Sequence, residues 1–291
     1  MDGTETEVES KNEPIIESKD EPKSEPKAEP KSEPRKVNKG MIVQYINRYT
    51  IFKLDGGGYD EDTGKEGFYN IAIVGSLVTA ITLVALIVFA ILQNRLQECQ
   101  PLNAVIAVGL PMLLYGFATI GGFGKIMDRV FPKQKCGEGL GVAAVAGTIL
   151  FICFMFGMYF MLGAIFTIVA MPVVELCAIQ AMVTAAVFSC NDSNGYTGYV
   201  KAKDMAISFV ILAIVAVVLI CLLMVLMGYF DVVMIAAGIV VLIFATALGF
   251  ILAKLADIKL GGMDEDVMMA SFEFSKPFII LFTIIIALFV M

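Results

Sequence analysis

The chain has 291 residues, of which 58% are hydrophobic, and its mean hydropathy of +0.81 is far above that of a soluble globular protein. Its net charge of −7 and its pI of about 4.8 exclude the basic face that nucleic-acid binding requires. The absence of histidine excludes most zinc hydrolases, His-ligated haem proteins and Ser-His or Cys-His catalysis. We therefore predict a membrane protein that is not an enzyme, with no cofactor, no metal site and no nucleic-acid partner.

Residues 1–40 are predicted to form a disordered, acidic arm. Within it, Glu21 to Pro34 reads EPKSEPKAEPKSEP, so that proline recurs at every fourth position. Proline lacks an amide donor and disfavours helix at the residue before it. The arm also has too few apolar side chains to offset the entropy cost of folding. An alternative is that the repeat is a ligand for a proline-binding domain of a cytoplasmic protein.

Residues 41–67 connect the arm to the first span and begin with a pattern typical of a short interfacial helix. Apolar side chains recur there at helical spacing, and two basic side chains lie alongside them. The apolar residues are Ile42, Tyr45, Ile46, Tyr49 and Phe52, and the basic ones are Arg48 and Lys53.

Residues 68–291 are predicted to form an all-α membrane domain of about seven spans, since about 20 apolar residues cross a bilayer core. Uncharged runs cover 68–92, 101–124, 205–230 and 232–253. A kink is expected at Pro111 in the second of them. The run 139–191 contains one charge, Glu175, and is long enough for two helices. The run after Pro277 reaches only about 22 Å, so the last helix either starts near Val267 or begins later and is short.

The Lys and Arg residues of the short loops set the orientation, because cytoplasmic loops carry an excess of them. With the amino terminus inside, nearly all of these residues fall in inner loops. The inner ones are Lys125, Arg129, Lys133, Lys135, Lys201, Lys203, Lys254 and Lys259, and the outer one is Arg95. The amino-terminal arm is therefore predicted to be cytoplasmic.

Four ionisable residues are candidates for an ion pathway or its gate, because a charge at membrane depth is costly. Glu175 is expected about one turn into the fourth span, either in a wet path or in the non-cytoplasmic interface. Asp257 lies one turn after Lys254 at the end of the sixth span, where the two residues either pair or are simply solvated. Glu273 and Lys276 have the same spacing, and they either neutralise each other in the last helix or lie in the interface.

Several short motifs, taken in order over roughly residues 67–291, resemble the transmembrane Bax inhibitor motif family, also called the lifeguard family. The second span ends in Gly121-Gly122-Phe123, similar to the family's glycine-aromatic turn before a basic loop. Other similar stretches lie in the fourth helix, at the start of the fifth helix and in the closing segment. They comprise Glu175 with Thr184, Ala186 and Val187; Asp204; and Gly261-Gly262, Glu265-Asp266, Ala270 and Phe278-Ile279 through Phe282.

This resemblance implies a calcium leak in the endoplasmic reticulum or another endomembrane, associated with suppression of cell death. In the family, aspartates of the sixth and seventh helices form a pH-sensing pair that closes the calcium path on the cytoplasmic side. Asp257 takes the first position only if the following loop is shortened, and Pro277 stands at the second. The family's basic residues in the second span and at the entry to the first helix are also missing. The missing acid predicts a flux that is largely insensitive to pH between about 6 and 8.

The leading functional hypothesis is therefore a calcium leak or calcium-homeostasis regulator, with Glu175, Asp257, Glu273 and Lys276 in the ion path or its gate. The alternative is a non-conducting membrane adaptor whose arm binds a cytoplasmic protein. The missing second aspartate favours the adaptor, whereas Glu175 favours the leak. Both hypotheses have the lipid bilayer as a partner.

Overall fold

The computed structural model describes residues 40–54, 67–96, 100–132, 141–189, 200–228 and 232–290. Within these ranges every regular element is an α-helix, which confirms the predicted all-α class. The helices are α1 Gly40–Tyr49, α2 Asn70–Leu96, α3 Gln100–Leu114, α4 Ala118–Val130, α5 Val142–Phe188, α6 Ala202–Met227, α7 Val232–Leu260 and α8 Glu265–Val290. The predicted arm, apart from Gly40, lies outside the described residues, as do Lys133 and Lys135.

Five of the described helices, α2, α5, α6, α7 and α8, are long and apolar enough to cross a membrane. Helices α3 and α4 add a sixth candidate if the bent pair is one span. By length and composition, these helices are compatible with the predicted multi-pass membrane protein. Between helices the structure buries a continuous apolar core, whereas many large apolar side chains are exposed, as expected for surfaces that contact lipid.

Helix α5 has 47 residues and a sharp break at Gly163, whose φ of 74° lies in the left-handed region. A straight helix of that length measures about 70 Å, more than twice the bilayer core. The Thr167 hydroxyl donates a hydrogen bond of 2.9 Å to the Tyr159 carbonyl oxygen. Residues so far apart in sequence are separated by about 12 Å in a straight helix, so the chain must turn at Gly163. We call the two halves of α5 the first arm (142–162) and the second arm (164–188); they are distinct from the amino-terminal arm, residues 1–40. The two halves agree with the two helices predicted here.

The second arm occupies the centre of the bundle. Every residue from 170 to 186 is buried. Helix α7 approaches it closely at Gly249, where an added Cβ would lie 2.6 Å from the Ala181 carbonyl oxygen. About two turns further along both helices, the Ser189 hydroxyl donates a hydrogen bond to Asp257. From the first contact to the second, the position advances toward the carboxyl end by the same distance in both helices. Helix α7 and the second arm therefore run parallel.

The sharp bend of the second predicted span does not lie at Pro111, which is inside α3. The chain instead turns by 89° between α3 and α4, where Gly116 and Phe117 both have positive φ. The Ile51 amide, from the segment after α1, donates to the Leu114 carbonyl oxygen and satisfies the end of α3.

The predicted glycine-aromatic turn at Gly121-Gly122-Phe123 is also wrong, because these residues lie inside α4. Gly122 is needed for packing rather than for turning. A Cβ at this position would lie 2.7 Å from the Met269 Cβ and 2.8 Å from the Asp266 carbonyl oxygen. The absence of a side chain therefore lets α4 lie against the first turns of α8.

The predicted helix after the arm is present as α1, although its location in the membrane interface stays a prediction. Tyr45 and Tyr49 are buried against the bundle. Arg48 forms an ion pair of 2.6 Å with Glu265 at the start of α8. Helix α1 is thus fixed to the same end of the bundle as α4 and the first turn of α8.

Helix α8 starts at Glu265, so the longer of the two predictions for the last helix is correct. Asp264 caps it, since its Oδ1 accepts a 2.8 Å hydrogen bond from the Val267 amide. Asp264 and Asp266 also pair with Arg129 and Lys125 of α4. Helix α7 extends beyond the uncharged run that ends at 253 and reaches Leu260, so that Lys254 and Asp257 lie near its end, as predicted.

Candidate functional site

Three of the four predicted site residues meet inside the bundle. The Lys276 ammonium lies 2.9 Å from Glu175 Oε1 and 3.1 Å from Glu273 Oε2. The exposed fractions of the three side chains are 5%, 3% and 0%. We call Glu175, Glu273 and Lys276 the buried triad. Of the two alternatives for Glu273 and Lys276, pairing within the last helix is the correct one, but the sequence did not predict that Glu175 joins them.

The buried triad lies near the middle of the helices that carry it. Lys276 is about 17 Å from the start of α8, and Glu175 is about 18 Å from the break at Gly163. Each of these segments is close to 40 Å long. Glu175 is therefore about three turns into its helix, not one turn as predicted, and it does not lie in a wet interface. The prediction failed because the sequence does not indicate where the long apolar run breaks.

Antiparallel packing of α8 against the second arm brings the triad together. Glu175 contacts Lys276, and about two turns away Met182 and Met269 line one common cavity. Along the second arm Met182 follows Glu175, whereas along α8 Met269 precedes Lys276. The two helices therefore run in opposite directions. Within α8, Glu273 and Lys276 are neighbours on the helix surface, so that both face the second arm.

The triad contains two carboxylates but only one ammonium group. When all three groups are ionised, one negative charge is left without a counter-charge inside the triad. Glu175 Oε2 and Glu273 Oε1 accept no hydrogen bond from any group of the described residues. Buried charges are stabilised only when they are paired and hydrogen-bonded, so this excess charge is costly.

A small cavity, which we call the triad cavity, borders the triad. It has about 10 Å³ for the centre of a water-sized sphere, close to the size that holds one water molecule. Its other walls come from α3 and the first arm: Ala107, Val108, Met112, Phe151, Met155 and Tyr159. The Tyr159 hydroxyl is buried and has no hydrogen-bond partner among the described residues.

A second cavity, of about 20 Å³ on the same measure, lies toward α1 and the α3–α4 corner. Two aromatic residues of its wall, Tyr115 and Phe272, pack edge to face with their ring centres 5.4 Å apart. The Lys276 ammonium lies over the Phe272 ring, 4.2 Å from its centre, in a cation–π contact. This aromatic pair therefore stands between the second cavity and the triad.

The fourth predicted site residue, Asp257, is not part of the triad. It lies in the last turns of α7 and accepts the hydrogen bond from Ser189, about 21 Å along the second arm from Glu175. Between these positions the second arm carries Gln180 and Thr184, both fully buried. Gln180 Oε1 accepts a 3.2 Å hydrogen bond from the Ser208 hydroxyl of α6. Buried polar groups thus continue from the triad toward Asp257.

Sequence reasoning missed the tyrosines Tyr115 and Tyr159 and the buried amide of Gln180. Each has a polar group within an apolar run, and in a membrane such a group needs a partner or water. That signal was available, but it does not predict which other helices supply the partners.

Among the described residues, no group of three or more His, Cys, Asp or Glu side chains is placed to hold a metal ion. No family model, no curated protein and no solved structure matches this chain.

Proposed function

We propose that the membrane domain is a cation leak in an intracellular membrane and that the buried triad is the selective point of its path. The observation that carries this proposal is the presence of Glu175, Glu273 and Lys276 at the middle of the bundle. A charged residue at membrane depth costs roughly 3 kcal/mol on insertion scales. A bundle that serves only as an anchor has no use for three such residues.

Calcium is the ion that the resemblance to the Bax inhibitor motif family implies. The acids that this resemblance places on the sixth and seventh helices are replaced here by Glu175 and Glu273, which share one lysine. Gln180, Thr184 and Ser208 supply polar groups between them and Asp257 on the cytoplasmic side. Such groups suit a path in which the ion is held weakly enough to leave.

The topology that fits this function has seven spans and a cytoplasmic amino terminus. The spans are α2, the α3–α4 pair, the two arms of α5, α6, α7 and α8. The contacts of Gly249 with Ala181 and of Asp257 with Ser189 support it, because they show that the second arm and α7 run parallel. Both helices therefore end at the same face of the bundle, near the start of α8. The ion pairs of Arg48, Lys125 and Arg129 with the start of α8 lie at that same face, where inner-loop cations are expected.

Protease added to sealed, right-side-out organelles is expected to remove residues 1–39 and leave the helical core intact. The reason is that the arm is proline-rich and faces the cytoplasm in the proposed topology. The measurement is immunodetection of tags at both ends of the chain. An arm that resists protease until the membrane is dissolved would contradict the orientation.

The purified protein in liposomes is expected to pass Ca²⁺, and Glu175→Gln is expected to reduce the flux by about tenfold or more, because it removes a charge that the ion meets. The matched control is Glu265→Gln, which alters an exposed carboxylate paired with Arg48 and should stay within about twofold of the parent. A chain that lacks residues 1–39 should conduct as the parent does.

A second function, the non-conducting adaptor, is favoured by one observation. Lys276 already occupies the space between the two carboxylates, and both cavities beside it are no larger than a few water molecules. No flux from folded parent protein under any ionic condition would support the adaptor and reject the leak.

A further inference from the structure

Three residues that line the triad cavity carry buried oxygen atoms that lack partners. Glu175 Oε2, Glu273 Oε1 and the Tyr159 hydroxyl are all buried, and none hydrogen-bonds to a described residue. Three buried, unpaired oxygens beside one small cavity indicate that a species which binds oxygen ligands completes the site.

Charge and size define that species. The triad has one excess negative charge when its members are ionised, and one positive charge in the cavity makes the cluster neutral. A divalent ion at the same place leaves a net positive charge next to the Lys276 ammonium, which low-dielectric surroundings penalise. The cavity has room for an object about as large as a water molecule, so it admits one small dehydrated monovalent ion such as Na⁺.

We propose that the triad cavity is a binding site for one Na⁺ ion, held by Glu175, Glu273 and the Tyr159 hydroxyl beside Lys276. The inference rests on the proposed function in treating the triad as the ion site of the path. It also specifies how that site works. While Lys276 stays between the carboxylates, the site takes a monovalent ion, and Ca²⁺ can bind there only after the ammonium has moved away.

The test compares the thermal unfolding of the purified full-length chain in detergent, at about pH 8, in NaCl and in choline chloride of equal ionic strength. We expect Na⁺ at tenfold its dissociation constant to raise Tm by about 3 to 6 °C over choline. Tyr159→Phe keeps the ring but removes one ligand, so it should lose most of the Na⁺ shift. The matched control, Tyr69→Phe, changes a tyrosine that does not line the triad cavity and should keep the full shift.

Glu273→Gln provides a second variant, in case Tyr159→Phe does not fold. It removes the excess negative charge, so its Tm in choline should be at least that of the parent and should no longer respond to Na⁺. Equal Tm values of the parent in NaCl and choline would overturn the inference, and so would a salt effect that both variants retain. The readout of this test is Tm and not ion flux, so the two proposals can fail separately. A rise in Tm with Na⁺ in a protein that passes no Ca²⁺ rejects the proposed function alone. Ca²⁺ flux without a rise in Tm rejects only this inference.

Discussion

Replacing Lys276 by methionine is expected to destabilise the folded protein by about 3 to 5 kcal/mol, the cost of removing one partner from a buried ion pair. Methionine has a similar length and no charge, so the packing of the side chain is largely kept. The two carboxylates of Glu175 and Glu273 then face each other in an apolar interior without a cation. The free energy of unfolding is measured by equilibrium denaturation in mixed micelles.

Neutralising the whole triad separates the effect of charge from the effect of shape. The triple variant Glu175→Gln, Glu273→Gln and Lys276→Met is expected to return to within about 1 kcal/mol of the parent, since a neutral cluster of similar volume replaces the charged one. Lys259→Met, at an exposed position in the last turn of α7, should have little effect. A Lys276→Met protein as stable as the parent would show that the triad is not a coupled, buried ion cluster.

The parts of this architecture that depend on composition and helical spacing could be predicted from the sequence. The apolar runs predicted the long helices, and the three-residue spacing of Glu273 and Lys276 predicted their pairing within α8. Both are properties of a single helix. The seven-span count and the orientation stay predictions, supported by the loop charges.

The parts that depend on backbone breaks could not be predicted. The depth of Glu175 follows from the break at Gly163, one of several glycines in the apolar run 139–191 with no distinguishing neighbour. The corner between α3 and α4 requires a left-handed Phe117, which is rare for a residue with a side chain. The sequence instead pointed to Pro111, the stronger local signal for a kink.

The composition of the triad also required the structure. Glu175 and Lys276 are far apart in the chain, and only the antiparallel packing of the second arm and α8 brings them to 2.9 Å. The same holds for Tyr159, which lines the triad cavity together with the carboxylates because the chain turns at Gly163. Without that turn, Tyr159 would lie about 24 Å from Glu175 along a single helix.

The second large effect concerns the contact that sets the register of α7. Gly249→Val is expected to destabilise the protein by about 3 kcal/mol or more, at the upper end of overpacking costs. A Cβ at this position would lie 2.6 Å from both the Ala181 carbonyl oxygen and the Thr184 Cβ. The carbonyl belongs to the helix backbone and cannot rotate away, so α7 must move outward from the second arm.

That movement also has a local consequence. Asp257 lies about two turns beyond Gly249, and its hydrogen bond from Ser189 depends on the same register between the two helices. The bond should therefore loosen in Gly249→Val, and amides near the end of α7 should exchange hydrogen faster than in the parent.

The matched control is Gly157→Val in the first arm, where an added Cβ meets no atom within 4 Å. Valine is at least as good a helix former as glycine, so this control should change the unfolding free energy by no more than about 0.5 kcal/mol. Similar stabilities for the two valine variants would mean that α7 does not pack against Ala181, and that Asp257 is not positioned by the second arm.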